Sequence, residues 1–299
     1  MPEMVLSGSQ LSYANVDGVA NSFIMRNPAL ESILFNRNVV GLPFAQACED
    51  ATTSFLLHLQ PELSALVDQV AEMVILTKGT YYWMHHAYAR AFGSNLQANY
   101  VDTNRVEASE SGVRVAIRHS NLDAPAASLI IGDTIASGAT ICAALAHYLE
   151  RHRLERVFLF SVAGSKTGGQ AVADFCRANA IDLYLVYGLA AFGLAANGFD
   201  LSFLDPETIT TADYIERARS VFHGKPVSSV GWDFGSQVQA IRKYRMLCWI
   251  EARYWGLEDT DVFQLTEPPV DPALVQKERG AFSNRFPDLS ALLPDSPFE

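Results

Sequence analysis

The chain is 299 residues long with 49% hydrophobic, 11% aromatic and 18% charged side chains, which excludes a disordered or collagen-like chain and allows one large domain with extensions. Its 22 Lys and Arg against 33 Asp and Glu give a formal charge of −11, which argues against a general affinity for nucleic acid or an anionic membrane. The four cysteines, Cys48, Cys142, Cys176 and Cys248, form no CxxC, so neither a zinc cluster nor a disulfide framework is indicated and a reducing compartment is expected.

No apolar run behind a basic stretch precedes Arg26, and the expected location is cytoplasmic. Residues 1–45 mix Gly, Asn, Ser and Pro with short apolar runs and sustain no period. From Glu49 to Glu72, Phe55, Leu56, Leu63, Leu66, Val67 and Val70 recur at helical spacing, with a break at Pro61. The first clear strand is Met73–Thr77, followed by Lys78-Gly79-Thr80 and a helix over Tyr81–Phe92 that Gly93 ends. Residues 97–107 and 112–118 predict a hairpin. Then come a strand at Ala127–Ile131, a small-residue loop at Gly132–Thr140, a helix at Ile141–Leu149, a strand at Arg156–Val162, a helix at Gln170–Asn179 and a strand at Asp182–Tyr187. This alternation predicts an α/β fold, a mostly parallel doubly wound sheet with helices on both faces.

Leu183–Phe199 runs without a charge, but Gly188, Gly193 and Gly198 favour a buried strand and a glycine-rich loop over a membrane span. The pattern then loosens until Ser236–Tyr254, an amphipathic helix with a basic side, and a proline-rich acidic tail follows Gly256. The chain thus divides into an N-terminal extension (1–70), a core (71–200), a region completing the site (201–256) and a tail (257–299), the extensions mainly helical. His85 and His86 point about 100° apart on one helix, His147 and His152 have no CxxC partner, and all four read as structural. Gly164–Gly169 lacks the GxxxxGK[ST] order of a nucleotide loop and reads as a loop beside the site.

The stretch richest in chemistry is Asp133-Thr134-Ile135-Ala136-Ser137-Gly138-Ala139-Thr140, where an apolar strand runs into an acid, small and hydroxyl residues, and a helix. A helix N-terminus offers unpaired N–H groups and partial positive charge, and small residues let an anion approach the backbone. Ser137 and Thr140 add hydroxyl donors, and Asp133 is placed to accept from ribose hydroxyls or to stand beside a magnesium ion. The plainer alternative is a tight connection in a doubly wound sheet.

These residues resemble the phosphoribosyl pyrophosphate (PRPP) motif of type I phosphoribosyltransferases, over about residues 70–190, loosely nearest the uracil phosphoribosyltransferase branch. The resemblance implies transfer of ribose 5-phosphate from PRPP to a nitrogen of a base or related acceptor, with release of pyrophosphate and with Mg2+ bound mainly through PRPP. It implies that Ala136, Ser137, Gly138, Ala139 and Thr140 hold the 5-phosphate and that Asp133 is the catalytic acid on the ribose; Gly132 stands where most members carry a first acid. Lys78, Gly79 and Thr80 match the short pyrophosphate loop, or form a plain turn; Tyr100–Arg118 occupies the place of a loop that closes over PRPP, with Arg105 toward pyrophosphate. Trp232 and Asp233 are candidates for acceptor stacking and hydrogen bonding, or anchor the last helix. A noncatalytic PRPP or nucleotide sensor is the rival reading. The expected partners are small molecules and a second copy in a homodimer, with neither nucleic acid nor membrane.

Overall fold

The computed structural model describes residues 7–247 apart from positions 68, 109–111, 197, 199, 241, 245 and 246, and describes 105–108 and 112–114 by backbone alone. Eight strands form one sheet in the order β1-β2-β9-β7-β6-β3-β4-β5. The strands are β1 (Gln10–Tyr13), β2 (Ser22–Arg26), β3 (Val70–Leu76), β4 (Gln97–Ala108), β5 (Gly112–Asn121), β6 (Ser128–Gly132), β7 (Arg156–Ser161) and β9 (Asp182–Gly188). The pairs β1–β2 and β4–β5 are antiparallel and every other neighbouring pair is parallel, as the alternation of strands and helices predicts. A short parallel pair, β8 (Gly164–Ser165) with β10 (Ala191–Phe192), stands beside it.

Two cores lie on the two faces, and the pleat sorts residues between them: Ile130 of β6 packs on one side and Leu129 and Ile131 on the other. The first face is covered by α1 (Pro28–Phe35), α2 (Leu42–His58) and α4 (Met84–Phe92), the second by α5 (Ala139–Leu149) and α6 (Lys166–Ala178). Asn27 caps α1 by accepting from the N–H of Ala29 at 2.8 Å, with Pro28 in the first turn. A four-residue α3 (Gln60–Leu63) carries Pro61 near its start, and α7 (Ala212–Val221) follows the sheet.

Several boundaries differ from the sequence reading. Val70, counted with the helical period, belongs with Ala71 and Glu72 to β3, because a fully buried strand is apolar on both faces and mimics either period. Residues ahead of the helices supply two strands, with β2 parallel to β9. The hairpin expected at 97–107 and 112–118 is present as β4 and β5, continuous with the sheet edge and with its register shifted at Asp102/Thr103. The apolar stretch from Leu183, expected as a buried strand followed by a glycine-rich loop, opens with most of β9 (Asp182–Gly188), and no helix among the described residues is long and apolar enough to cross a membrane. Most of the expected helix Ser236–Tyr254 and the tail 257–299 lie outside the described residues.

Candidate functional site

A cleft of about 420 Å³ opens at the carboxyl ends of β3 and β6. Leu76, Thr77 and Lys78 line it from β3, Asp133, Thr134, Ala136 and Thr140 from β6, Thr103 from the hairpin and Val230 from the C-terminal segment. The peptide bond Leu76–Thr77 is cis. The crevice beyond strand carboxyl ends is where open α/β sheets hold ligands.

The loop after β6 is built from its neighbours. All five residues of β6 are buried between β3 and β7, so the chain leaves it in the middle of the sheet. Asp133 N–H donates to the Phe160 carbonyl at 3.1 Å, Ile135 N–H to Ala163 at 3.1 Å, and Ser165 N–H to Ile135 at 2.7 Å. The Ser165 hydroxyl donates to the Ala136 carbonyl and accepts from the Gly168 N–H at 2.8 Å, which also caps α6. The run Gly164–Gly169 therefore buttresses the loop as β8 and the first turn of α6. At the start of α5, Gly138 has φ +76°, and a Cβ there would lie 2.5 Å from the Gly168 carbonyl oxygen. Backbone conformation and space both demand glycine at this turn.

Asp133 is 4% exposed, and its carboxylate accepts the N–H of Thr134 at 2.7 Å. Ser137 is exposed, Ala139 and Thr140 are half-buried in the first turn of α5, and Ala136 faces the cleft. Gly132 has no room for a side chain: a Cβ would lie 2.4 Å from Cγ of Tyr82. Tyr82 is 1% exposed, accepts the Val162 N–H at 3.1 Å, and meets Phe160 and Trp232 edge-on. Burial first, and the Asp133 carboxylate next, push its phenol well above the usual range, so it stays neutral.

Lys78 to Tyr82 form a 3-10 turn in which Gly79 is buried, and the Thr80 hydroxyl donates to the Thr77 carbonyl at 2.7 Å. Lys78 lines the cleft, and its ammonium lies 3.9 Å from the Asp233 carboxylate. Arg105 pairs with Val115 in the hairpin, its side chain outside the described residues; Thr103 is where the hairpin meets the cleft.

The acceptor-binding assignments of Trp232 and Asp233 are corrected by burial. Trp232 is 3% exposed, stacked on Phe44 and edge-on to Tyr82, so it offers no open face to a ring. Its indole N–H donates to the Thr134 hydroxyl at 2.9 Å. Asp233 is 2% exposed and accepts from the Gln237 amide at 3.0 Å, behind Lys78 rather than in the cleft. Tyr82 had no place in the sequence reading of the site, while Thr103, Thr134 and Ser165 lay within stretches read as part of it or beside it without a role of their own. The four histidines read as structural include three with firm partners: His85 faces Glu72 at 2.7 Å, His147 the Ser120 hydroxyl at 2.9 Å and His152 the Leu122 carbonyl at 2.8 Å.

Together these groups bring the N-terminus of an eleven-residue helix and the Lys78 ammonium, each able to attract an anion, to one cleft that Asp133 also lines.

No protein-family model matches the chain, and no curated protein does. Among solved structures, the AQ2163 protein from Aquifex aeolicus is similar over 65% of this chain and 95% of that one, at 12% identity and a TM-score of 0.43. Adenine phosphoribosyltransferase from Trypanosoma brucei is similar over 70% of this chain and 98% of that one, at 10% identity and a TM-score of 0.37. Orotate phosphoribosyltransferase from Aeropyrum pernix is similar over 46% of this chain and 70% of that one, at 14% identity and a TM-score of 0.30.

Proposed function

We propose that this chain binds PRPP and transfers its ribose 5-phosphate to a nitrogen of a base or related acceptor, releasing pyrophosphate. The observation that carries the reading is the meeting of the Asp133–Thr140 loop and Lys78 in one cleft at the carboxyl edge of a parallel sheet. In this reading the N–H groups at the start of α5 and the hydroxyls of Ser137 and Thr140 hold the 5-phosphate. Asp133 orients the ribose hydroxyls and stabilises positive charge developing at the anomeric carbon, while Lys78 meets the pyrophosphate as it leaves with the bonding pair. The acceptor nitrogen forms the new bond and gives up a proton.

Magnesium fits as an ion carried by the ligand. In this reading Asp133 would supply one carboxylate to the cleft, beside the ribose. Mg2+ is commonly bound by one or two carboxylates plus substrate phosphates, and there it would neutralise charge on the leaving pyrophosphate.

A second reading is favoured by Gly132, where Tyr82 closes the place of a further acid: a PRPP or nucleotide sensor without turnover. PRPP-dependent pyrophosphate release, measured over a panel of purine, pyrimidine and pyridine bases that includes uracil, separates the two. Release with one acceptor supports the transferase; tight PRPP binding with no release from any base supports the sensor; no binding sinks both.

A further inference from the structure

The segment expected to contact the acceptor is tied instead to both anion seats. Trp232 and Asp233 are neighbours in the 3-10 turn Trp232–Ser236. The indole N–H of Trp232 reaches the Thr134 hydroxyl, on the loop after β6, at 2.9 Å. The carboxylate of Asp233 reaches Lys78, after β3, at 3.9 Å. Two consecutive residues thus engage the two loops that flank one cleft.

The turn itself is held firmly. The Gly235 carbonyl accepts the Gly41 N–H at 2.8 Å, and the Tyr244 hydroxyl donates to the Trp232 carbonyl at 3.1 Å. The Trp232 ring sits between Phe44 and Tyr82, and the Gln237 amide donates to the second oxygen of Asp233 at 3.0 Å. A buried carboxylate is costly without a partner, so Asp233 restricts where the Lys78 ammonium can rest. A buried indole N–H likewise needs its acceptor, which restricts Thr134.

We propose that Trp232 and Asp233 are positioning residues that set the separation of the two anion seats, and so select ligands carrying phosphate groups at both ends of a sugar over ligands with one anionic end. This rests on the PRPP reading above. A ligand that uses one seat is indifferent to the spacing; a ligand that spans both gains only when the seats match its length.

The test compares three probes by calorimetry with magnesium present: PRPP, ribose 5-phosphate for the α5 seat alone, and pyrophosphate for the Lys78 seat alone. Trp232→Phe keeps a ring and deletes the N–H; Asp233→Asn keeps the shape and deletes the charge. In Trp232→Phe, PRPP affinity is expected to fall about tenfold while the single-seat probes change less than threefold. In Asp233→Asn, pyrophosphate is expected to bind as well as or better than in the parent, since the Lys78 charge is no longer shared, and the ratio of PRPP to pyrophosphate affinity to fall about tenfold. Affinities that stay unchanged, or that fall by one common factor for all three probes, overturn the proposal, because a merely structural role moves every probe together. Should either variant fail to fold, Trp232→His, whose ring N–H can replace the indole donor, is expected to restore the parent's PRPP preference, and its failure to do so in a folded protein overturns the proposal. If the parent protein binds neither PRPP nor ribose 5-phosphate, the PRPP reading itself falls and this one with it.

Discussion

Tyr82 excludes any side chain, a carboxylate included, from position 132. The ring fills the space where any Cβ at 132 would sit, 2.4 Å from Cγ and 2.7 Å from Cδ1. Since Tyr82 is itself fixed by Val162, Phe160 and Trp232, it cannot retreat cheaply. Gly132→Ala is expected to lower the unfolding free energy by about 2 kcal/mol, in the range of core overpacking, as read by urea titration. A folded Gly132→Ala protein of parent stability would show that the ring gives way and that the glycine has another cause. If the proposed transfer takes place in this cleft, Asp133 would carry the ribose chemistry without a second acid at 132. Asp133→Asn retains the shape and one acceptor oxygen, so PRPP affinity is expected to change little. Turnover with the true acceptor is expected to fall on the order of 10²–10³, because the lost charge matters most when cationic character develops. Equal losses in kcat and affinity would make Asp133 a binding group only.

At the scale of elements, α4 is fastened to the central strand β3 by one ionisable pair. Glu72 is buried in β3 and faces His85 of α4 at 2.7 Å. Burial raises the Glu72 carboxyl above its ordinary range in spite of the His85 hydrogen bond, and that same hydrogen bond to Glu72 raises the imidazole in spite of partial burial. Both groups therefore hold protons more tightly when folded. The stability they confer is full below their unfolded values, about 4.3 for Glu and 6.5 for His, and is lost as pH rises through the folded ones. His85→Gln is accordingly expected to cost about 1–2 kcal/mol at pH 6 and clearly less at pH 8.5, measured by chemical unfolding at both pH values. A penalty independent of pH would mean that His85 acts through packing alone.

The same elements show what a sequence discloses and what it does not. The passage from Leu129 to Thr140 was legible because strand, acid, glycine and helix start are all local signals. The hairpin was legible by its alternation, and Gly93 as a helix end by its left-handed turn. The start of α2 was missed because its first apolar residue, Leu42, is exposed and Pro43 follows it, so that only Phe44 and Cys48 mark the buried side; α7 was missed because it is largely polar. The bond from Trp232 to Thr134 spans 98 residues and no periodicity announces it, so sequence left the segment open between an acceptor loop and an anchor, and the buried Trp232 favours the anchor.

For the whole molecule, an acidic protein with formal charge −11 is read as a binder of a polyanion, and the two facts are reconciled by confinement of the attraction. A helix N-terminus acts within about its first turn, and Lys78 is brought to the same cleft by a separate strand. Neither seat exists in the unfolded chain, where residues 78 and 134–140 are unrelated in space and the net charge repels the ligand. PRPP with magnesium should therefore bind the folded state almost exclusively and stabilise it by mass action, about 2.7 kcal/mol at a hundred times Kd. For a protein of this size that corresponds to a rise in Tm of several degrees. Because the field is local, the rise is expected to survive physiological salt, and ribose 5-phosphate, which fills one seat, is expected to give a smaller shift at the same concentration. The measurement is a melting series against ligand concentration; a Tm that does not move at saturating PRPP removes the ligand, and with it the functional reading of both loops.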